Sequence, residues 1–408
     1  AQMRELGVRL ELGGHGEGVF ESADMIVLSP GVPHTIEPVA RARKSGVPVI
    51  GEIELAGRFI SAPVVAVTGT NGKSTVTRLI GQMLEQSGLT VFVGGNLGTP
   101  LISYAGGEKP ADVVVAEISS FQLDTAETFR PKVAVLLNIT ADHLDRYPSL
   151  YAYGASKARL FENQTGSDTA VINAADALIM KLTRDIRSRK CLFNADKYED
   201  CSAMLGKEGI NAYPHGSGPV RISYKDIPMV GRHNYENVAA AALAAIAAGA
   251  DSDGVKAGIH HFRPDPHRLE RVGQFQGVNY YDDSKATNVD AVCRAIEAVG
   301  RSVVLILGGR DKGGGYGGLA ESIRHHVKAM VLMGEAADAI EKELGGIAET
   351  RRAGSMAEAV SLAADMADAG DTVLLSPACS SFDMYESYAG RGRDFQQAVH
   401  RLENRKNG

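Results

Sequence analysis

The chain has 408 residues, too many for one compact core, and at about 100 to 200 residues per domain two to four domains are expected, of which the pattern along the chain supports three. Hydrophobic residues make up 44% and charged residues 23%, proportions that exclude disordered and fibrous designs. A net charge of −6 argues against general nucleic-acid binding, so any anionic substrate must meet local positive charge.

The chain opens at Ala1 with a helix-like stretch, Gln2 to Leu6, in place of an initiating Met and a first strand, and a preceding segment is expected. No N-terminal run has the basic, apolar and small-residue parts of a secretion signal. The longest apolar stretch, Ala239 to Ala250, is mostly alanine and shorter than the roughly 20 residues that cross a bilayer, so no membrane insertion is expected. Cys191, Cys201, Cys293 and Cys379 lack metal-type spacing and read as reduced thiols of a cytoplasmic protein.

Short β-branched runs alternate with helical patterns throughout, the mark of parallel sheets covered by helices, and the fold class is α/β. In residues 1–61, Met25 to Leu28 and Val47 to Ile50 read as strands of a small Rossmann-like domain, with Ser29-Pro30-Gly31 as the turn after one of them. Residues 62–264 begin a second domain with the strand Val64 to Thr68, a Gly-rich turn and a helix from Ser74 to Gln86. Strands at Val91 to Val93, Val113 to Glu117, Val133 to Asn138 and Thr169 to Asn173 extend it into one large sheet. Residues 185–228 carry no clear pattern and read as a variable excursion. Pro264 and Pro266 interrupt helical continuation and open a third domain, residues 265–408, with strands at Val303 to Leu307, Met330 to Met333 and Thr372 to Leu375.

Gly69-Thr70-Asn71-Gly72-Lys73-Ser74-Thr75 lies where a strand hands over to a helix, so backbone amides and the helix N-terminus can converge on phosphate oxygens. Lys73 adds charge to the β- and γ-phosphates, and a Ser74 or Thr75 hydroxyl can ligate Mg²⁺. The general phosphate-loop pattern has Gly six residues before the Lys; Val67 stands there, and Gly69 supplies the glycine. Glu117 ends one strand and His143 follows another, where ligands of parallel sheets gather; a carboxylate there suits Mg²⁺, whereas a lone loop histidine reads either as a ligand or as structural. Asn234 and Asn237, three apart at the start of the alanine-rich helix, either cap that helix or read an adenine edge. In the third domain Asp282 to Asn288, Gly308 to Gly315 and Ser376 to Asp383 are three strand-end loops, two of which offer a lysine to an anion.

Together these motifs resemble the Mur ligase family of peptidoglycan synthesis over nearly the whole chain. The matching parts are Gly69 to Thr75, Glu117 to Leu123, Asp142 to Tyr147, Tyr153 to Asn163, His233 to Asn237, Pro266-His267-Arg268, Asp283 to Asn288, Gly308 to Lys312 and Ser376 to Asp383. The phosphate loop is similar to that of all Mur ligases and of folylpolyglutamate synthetases, whereas the Asp283 and Ser376 runs are most similar to the D-glutamate-adding branch.

The resemblance implies a truncated N-terminal Rossmann-like domain, a central ATPase-type domain and a C-terminal Rossmann-like domain. It implies ATP with two Mg²⁺ ions, and UDP-N-acetylmuramoyl-L-alanine and D-glutamate as substrates of a monomer. Lys73, Ser74 and Thr75 would hold the phosphates, with Gly69, Thr70, Asn71 and Gly72 around them. Ser74 and Glu117 would ligate one Mg²⁺; His143 and a carbamylated Lys157 the other. Carbamylation replaces an ammonium, which a magnesium site would repel, with an anion bearing two oxygens. Asn234, Asn237, Arg268 and Asp283 would grip the adenosine, and Lys285, Thr287, Lys312 and Ser381 would face the amino acid or the nearby phosphoryl groups. Ser29, Pro30, Gly31, Asn96 and Gln122 are the expected contacts to the UDP-sugar, since the family's first strand and turn lack a counterpart here. Where the family often has Phe in its last substrate loop, this chain has Tyr388. A rival amide ligase would add another amino acid, or glutamate to folate; a nucleotide switch would not need the third-domain lysine loops.

Overall fold

The computed structural model describes residues 2–406 apart from residues 17, 108–109, 145, 196–201, 217 and 312. Three sheets organise the chain. The first is a parallel pair, Ile26–Leu28 and Val49–Gly51, joined by the helix Glu37–Lys44. Its core is small: Ile26, Leu28, Val39, Ala42, Val47 and Val49.

A buried carboxylate ties this unit to its neighbour. Glu54, fully buried, accepts the backbone N–H groups of Glu127, Thr128 and Phe129, each at 2.9 Å, and the Thr128 hydroxyl at 2.6 Å. Desolvation opposes its ionisation, but the hydrogen bonds from Thr128 and Glu127 and from Arg58 outweigh it and hold the pKa at about 2. Glu54→Ala should therefore destabilise the chain by about 3 kcal/mol, because the buried Phe129 amide and the partly buried amides of Glu127 and Thr128 lose their acceptor. The depressed pKa gives the sign with pH: the carboxylate's contribution is whole above its unfolded pKa near 4.5 and fades as pH falls toward 2. Urea midpoints of native and variant chains should converge in acid.

The central sheet has nine strands, in spatial order Val220–Ser223, Gly209–Tyr213, Ser202–Leu205, Arg189–Phe193, Thr169–Asn173, Val133–Leu136, Val64–Thr68, Val113–Glu117 and Val91–Gly95. The seven from Ser202–Leu205 onward run parallel, and the other two add antiparallel. Val64–Thr68 and Val113–Glu117 are buried at every position, with alternate residues entering apolar cores on opposite faces. Four of the nine strands, Arg189–Phe193, Ser202–Leu205, Gly209–Tyr213 and Val220–Ser223, lie within residues 185–228, correcting the reading of a patternless excursion. Ile210 and Ala212 point into the core while their neighbours are half-exposed, a period-2 signal too short and too polar to stand out.

Cys191 on this sheet is disulfide-bonded, against the expectation of reduced thiols, whereas Cys293 and Cys379 are free. The helix Arg232–Ala247 buries Ala239 to Ala245 completely; such small side chains let it lie close on the sheet beside the helix Lys73–Gln86. No helix among the described residues is long and apolar enough to cross a membrane.

The third sheet has the order Glu270–Phe275, Val278–Asp282, Thr372–Leu375, Val303–Gly308, Val327–Met333 and Glu349–Arg352, antiparallel only at the first strand. Apolar clusters cover both faces. In the central sheet, Val64–Thr68 lies between Val133–Leu136 and Val113–Glu117, where the strand order reverses. The crevice beyond such a reversal is where parallel sheets place ligands.

Candidate active site

The loop after Val64–Thr68 is built on glycine. Gly72 has a φ of 86°, in the left-handed region, and a Cβ there would collide with Oδ1 of Asn237. The helix then starts at Lys73 with no side-chain cap, which leaves the amides of its first turn open to an anion. A neighbouring strand end fixes the loop. Thr70 N–H donates to Asn138 O at 2.9 Å, Asn71 N–H to Asn138 Oδ1 at 2.8 Å, and Asn138 Nδ2 returns a bond to Asn71 O at 3.0 Å.

Two lysines converge on this loop. Lys73 Nζ donates to Gly69 O at 3.0 Å and Thr70 O at 2.8 Å. Lys157 Nζ donates to the same Gly69 O at 2.9 Å and lies 4.3 Å from the centre of the Tyr153 ring. Lys157 is 1% exposed, and burial, then the charge of Lys73, lowers its pKa well below the ordinary lysine value.

Glu117, 3% exposed, accepts Asn96 Nδ2 on Oε1 at 2.7 Å, while its Oε2 is buried without a hydrogen-bond partner among the described residues. A buried carboxylate oxygen with no donor is costly unless a cation meets it, and a hard oxygen donor beside a phosphate loop fits Mg²⁺. Half-buried Ser74 stands in the first turn of the same helix. His143 has a φ of 54° and sits edge-on to Phe121, with ring centres 4.9 Å apart. Its neighbour Asp142 attracts both Lys73 and Lys157, a role the sequence reading did not assign.

Beside the loop lies a cavity of about 430 Å³ lined by Asn234, Asn237, Arg268, Asp283 and Lys285 together with Asn71, Gly72 and Thr75. Four proposed adenosine residues from two domains thus meet in one place. The cap of the helix is Gly231, so Asn234 and Asn237 are not capping residues; Asn237 Nδ2 donates to Asn234 Oδ1 at 3.3 Å. Met229, Leu269, Ala286 and Ala295 supply apolar wall that scattered positions could not reveal in the sequence. Asp283 accepts Leu269 N–H at 3.0 Å and the Ser376 hydroxyl at 2.9 Å, and burial outweighs these bonds to raise its pKa to about 7. Its carboxyl is therefore committed to holding the cavity wall.

Lys285 lies in that wall with its Nζ 3.9 Å from the centre of the Tyr388 ring; burial lowers the Lys73 pKa, and the charges of Arg268 and Lys285 add to that. Thr287 is half-buried and Ser381 is 3% exposed on the loop after Thr372–Leu375. Lys312 lies outside the described residues. Arg391, which the sequence reading passed over, knits the third-domain loops together. It is 2% exposed, donating from Nε to Ser284 Oγ at 2.9 Å and from its terminal nitrogens to the carbonyls of Ser284, Gly308, Cys379 and Ser380. A helix arginine gives no local sign of such burial. On the far side of Glu117, Ser29, Pro30 and Gln122 line one small cleft with Phe121, while Gly31 is exposed outside it. Asn96 is turned toward Glu117, and Gln122 closes a capping box with Ser119.

A phosphate loop, an unpartnered carboxylate oxygen and a nucleotide-sized cavity closed by a second Rossmann-like domain define an ATP-dependent ligase architecture. A description of the Mur ligase middle domain matches residues 67–245, and one of the Mur ligase glutamate ligase domain matches residues 267–379. The UDP-N-acetylmuramoylalanine--D-glutamate ligase of Desulfosudis oleivorans is 54% identical over 399 residues, 98% of this chain and 87% of that protein. The enzyme of the same name from Desulfatibacillum aliphaticivorans is 49% identical, over 98% of this chain and 89% of its own. Among solved structures, a pseudomurein peptide ligase type C from Methanothermus fervidus superposes with a TM-score of 0.67 at 19% identity, covering 98% of this chain and 91% of that one, which shows the shared fold. The chain belongs to the Mur ligase family, in the group of the UDP-N-acetylmuramoylalanine--D-glutamate ligases.

Proposed function

We propose that this chain joins D-glutamate to UDP-N-acetylmuramoyl-L-alanine with ATP, releasing ADP and phosphate, as a monomeric cytoplasmic step of peptidoglycan precursor synthesis. The observation that carries this reading is the crevice where the phosphate loop, Glu117 and Lys157 meet loops of the third domain. The γ-phosphoryl group passes to the alanine carboxylate, giving an acyl phosphate. The D-glutamate amine then attacks the carbonyl carbon, a tetrahedral intermediate forms, phosphate leaves and the amine loses a proton.

Lys73 and the uncapped helix N-terminus would hold the phosphates in line for transfer, a reaction governed by positioning and charge. Mg²⁺, when bound, supplies charge neutralisation for the transferring group. Ser74 and Glu117 would hold one ion, with Glu117 Oε2 as the available oxygen. His143 and a carbamylated Lys157 would hold the other. A carbamate keeps one N–H, so the Lys157 bond to Gly69 O can persist while two oxygens are added. Asn234, Asn237 and Arg268 would take the adenosine. Ser29, Pro30 and Gln122 would meet the UDP-sugar, and Thr287, Ser381 and Lys312 the amino acid.

D-glutamate carries two carboxylates, so a site with polar groups for both should reject analogues that lack one. Each unpartnered buried group costs about 1 to 3 kcal/mol, or roughly five- to 150-fold in rate. ADP release with UDP-N-acetylmuramoyl-L-alanine should be high with D-glutamate and low with L-glutamate, D-alanine and meso-diaminopimelate. L-glutamate fails because inversion at the α-carbon swings the amine away when both carboxylates are held. Equal rates with diaminopimelate or L-glutamate would leave only a broader amide ligase.

A further inference from the structure

The phosphate loop touches the C-terminal domain directly. Asn71 Nδ2 donates to Asp290 Oδ2 at 2.7 Å and to Asn288 Oδ1 at 3.4 Å, and Asn288 Nδ2 donates back to Asn71 Oδ1 at 3.1 Å. Asn288 is the N-cap of the helix Val289–Val299, accepting Ala291 N–H at 2.9 Å, so its position is set by the C-terminal domain.

Asp290 brings a carboxylate to a loop shaped for phosphate, which by itself would repel the ligand. Arg294 answers that charge, donating from Nε to Asp290 Oδ2 at 2.9 Å, and its Nη1 donates to Glu236 Oε2 at 3.4 Å. Glu236 belongs to the helix that carries Asn234 and Asn237, and also accepts Arg232 Nε at 3.3 Å. The chain of contacts thus leaves the phosphate loop, crosses into the third domain and returns to the adenosine side of the middle domain.

We propose that Asp290, neutralised by Arg294, is a positioning residue for the phosphate loop, gripping Asn71 from the C-terminal domain so that the loop is set for ATP only when that domain is docked. This rests on the ATP-dependent ligase reading. ATP binding and docking of the third domain are then one coupled event, and the amino-acid loops arrive together with a completed phosphate site.

The arrangement makes an asymmetric prediction. Asp290→Ala loses a charge-assisted hydrogen bond and should raise KM for ATP about fivefold. Asp290→Asn keeps an acceptor oxygen for Asn71 and should stay within about twofold of the native chain. Arg294→Ala leaves the Asp290 carboxylate unneutralised beside the phosphates and should be worse than Asp290→Ala, at about tenfold or more. Adding Asp290→Ala to Arg294→Ala should bring KM for ATP back toward the Asp290→Ala value.

The experiment is steady-state ADP release by the full chain, with ATP and D-glutamate varied separately, and thermal midpoints to check folding. An unchanged KM for ATP in Asp290→Ala, or a double variant as impaired as the product of the single effects, would overturn the proposal. Should Arg294→Ala not fold, a cycle of Asn71→Ala with Asp290→Ala replaces it: non-additive effects support the contact and additive ones refute it. If the native chain released no ADP, the ligase reading would fall; calorimetric ATP affinity of the same variants would still decide the clasp.

Discussion

Lys73→Ala is expected to cut ADP release by at least about a thousandfold, the scale set by removing a charged group from a transferring phosphoryl. Lys73 is half-buried, and among the described residues its Nζ hydrogen-bonds the carbonyls of Gly69 and Thr70 within its own loop. Gly69 O keeps the bond from Lys157 in the variant. Fold and thermal midpoint should therefore survive while turnover does not. Lys73→Arg should also be poor, because a planar guanidinium cannot fill the space of an ammonium against a tight loop. Near-normal ADP release by Lys73→Ala with all substrates present would refute the phosphate-loop assignment.

Lys157→Ala is expected to reduce turnover by about a hundredfold or more, the scale of losing a group that orients an ion at a phosphoryl-transfer site. Short carboxylic acids that fill the vacated carbamate position should restore part of the activity. Carbamates form from neutral amines, and burial beside Lys73 moves Lys157 toward that state by lowering its pKa. The sign with pH follows: modification is favoured above the depressed pKa and lost as pH falls through it, and removal of dissolved CO₂ should lower activity in the native chain alone. A ¹³C NMR spectrum of fully active enzyme under saturating ¹³CO₂ with no carbamate carbon signal that Lys157→Ala removes would overturn this role. Lys157 is 1% exposed whereas Lys73 is half-buried, so Lys157→Ala leaves a buried void and its midpoint should fall more than that of Lys73→Ala.

Asn234 and Asn237 show how far local pattern reaches. Their spacing fitted both a cap and a ligand contact; the cap at Gly231 removes the first reading, and the cavity shared with Arg268 supports the second. Glu117 was legible because a carboxylate at a strand end stands out, yet its unpartnered Oε2 depends on which donors surround it after folding. The strands within residues 185–228 were missed because short strands with one wet face carry a weak period-2 signal.

The sequence by itself determined the α/β class, the glycine-rich strand-to-helix loop and several of the polar residues that line the cavity, because glycine freedom, strand-to-helix handover and strand-end position act within a few neighbouring residues. Tertiary structure decided what burial and partnership mean for the rest. Lys157 is an unremarkable helix lysine until packing sets it under Gly69, 88 residues away. Arg391 becomes the tie of three loops, and Asp290 meets Asn71, 219 residues distant, across a domain boundary. Desolvation and long-range hydrogen bonds are properties of surroundings, and surroundings exist only once distant segments have packed.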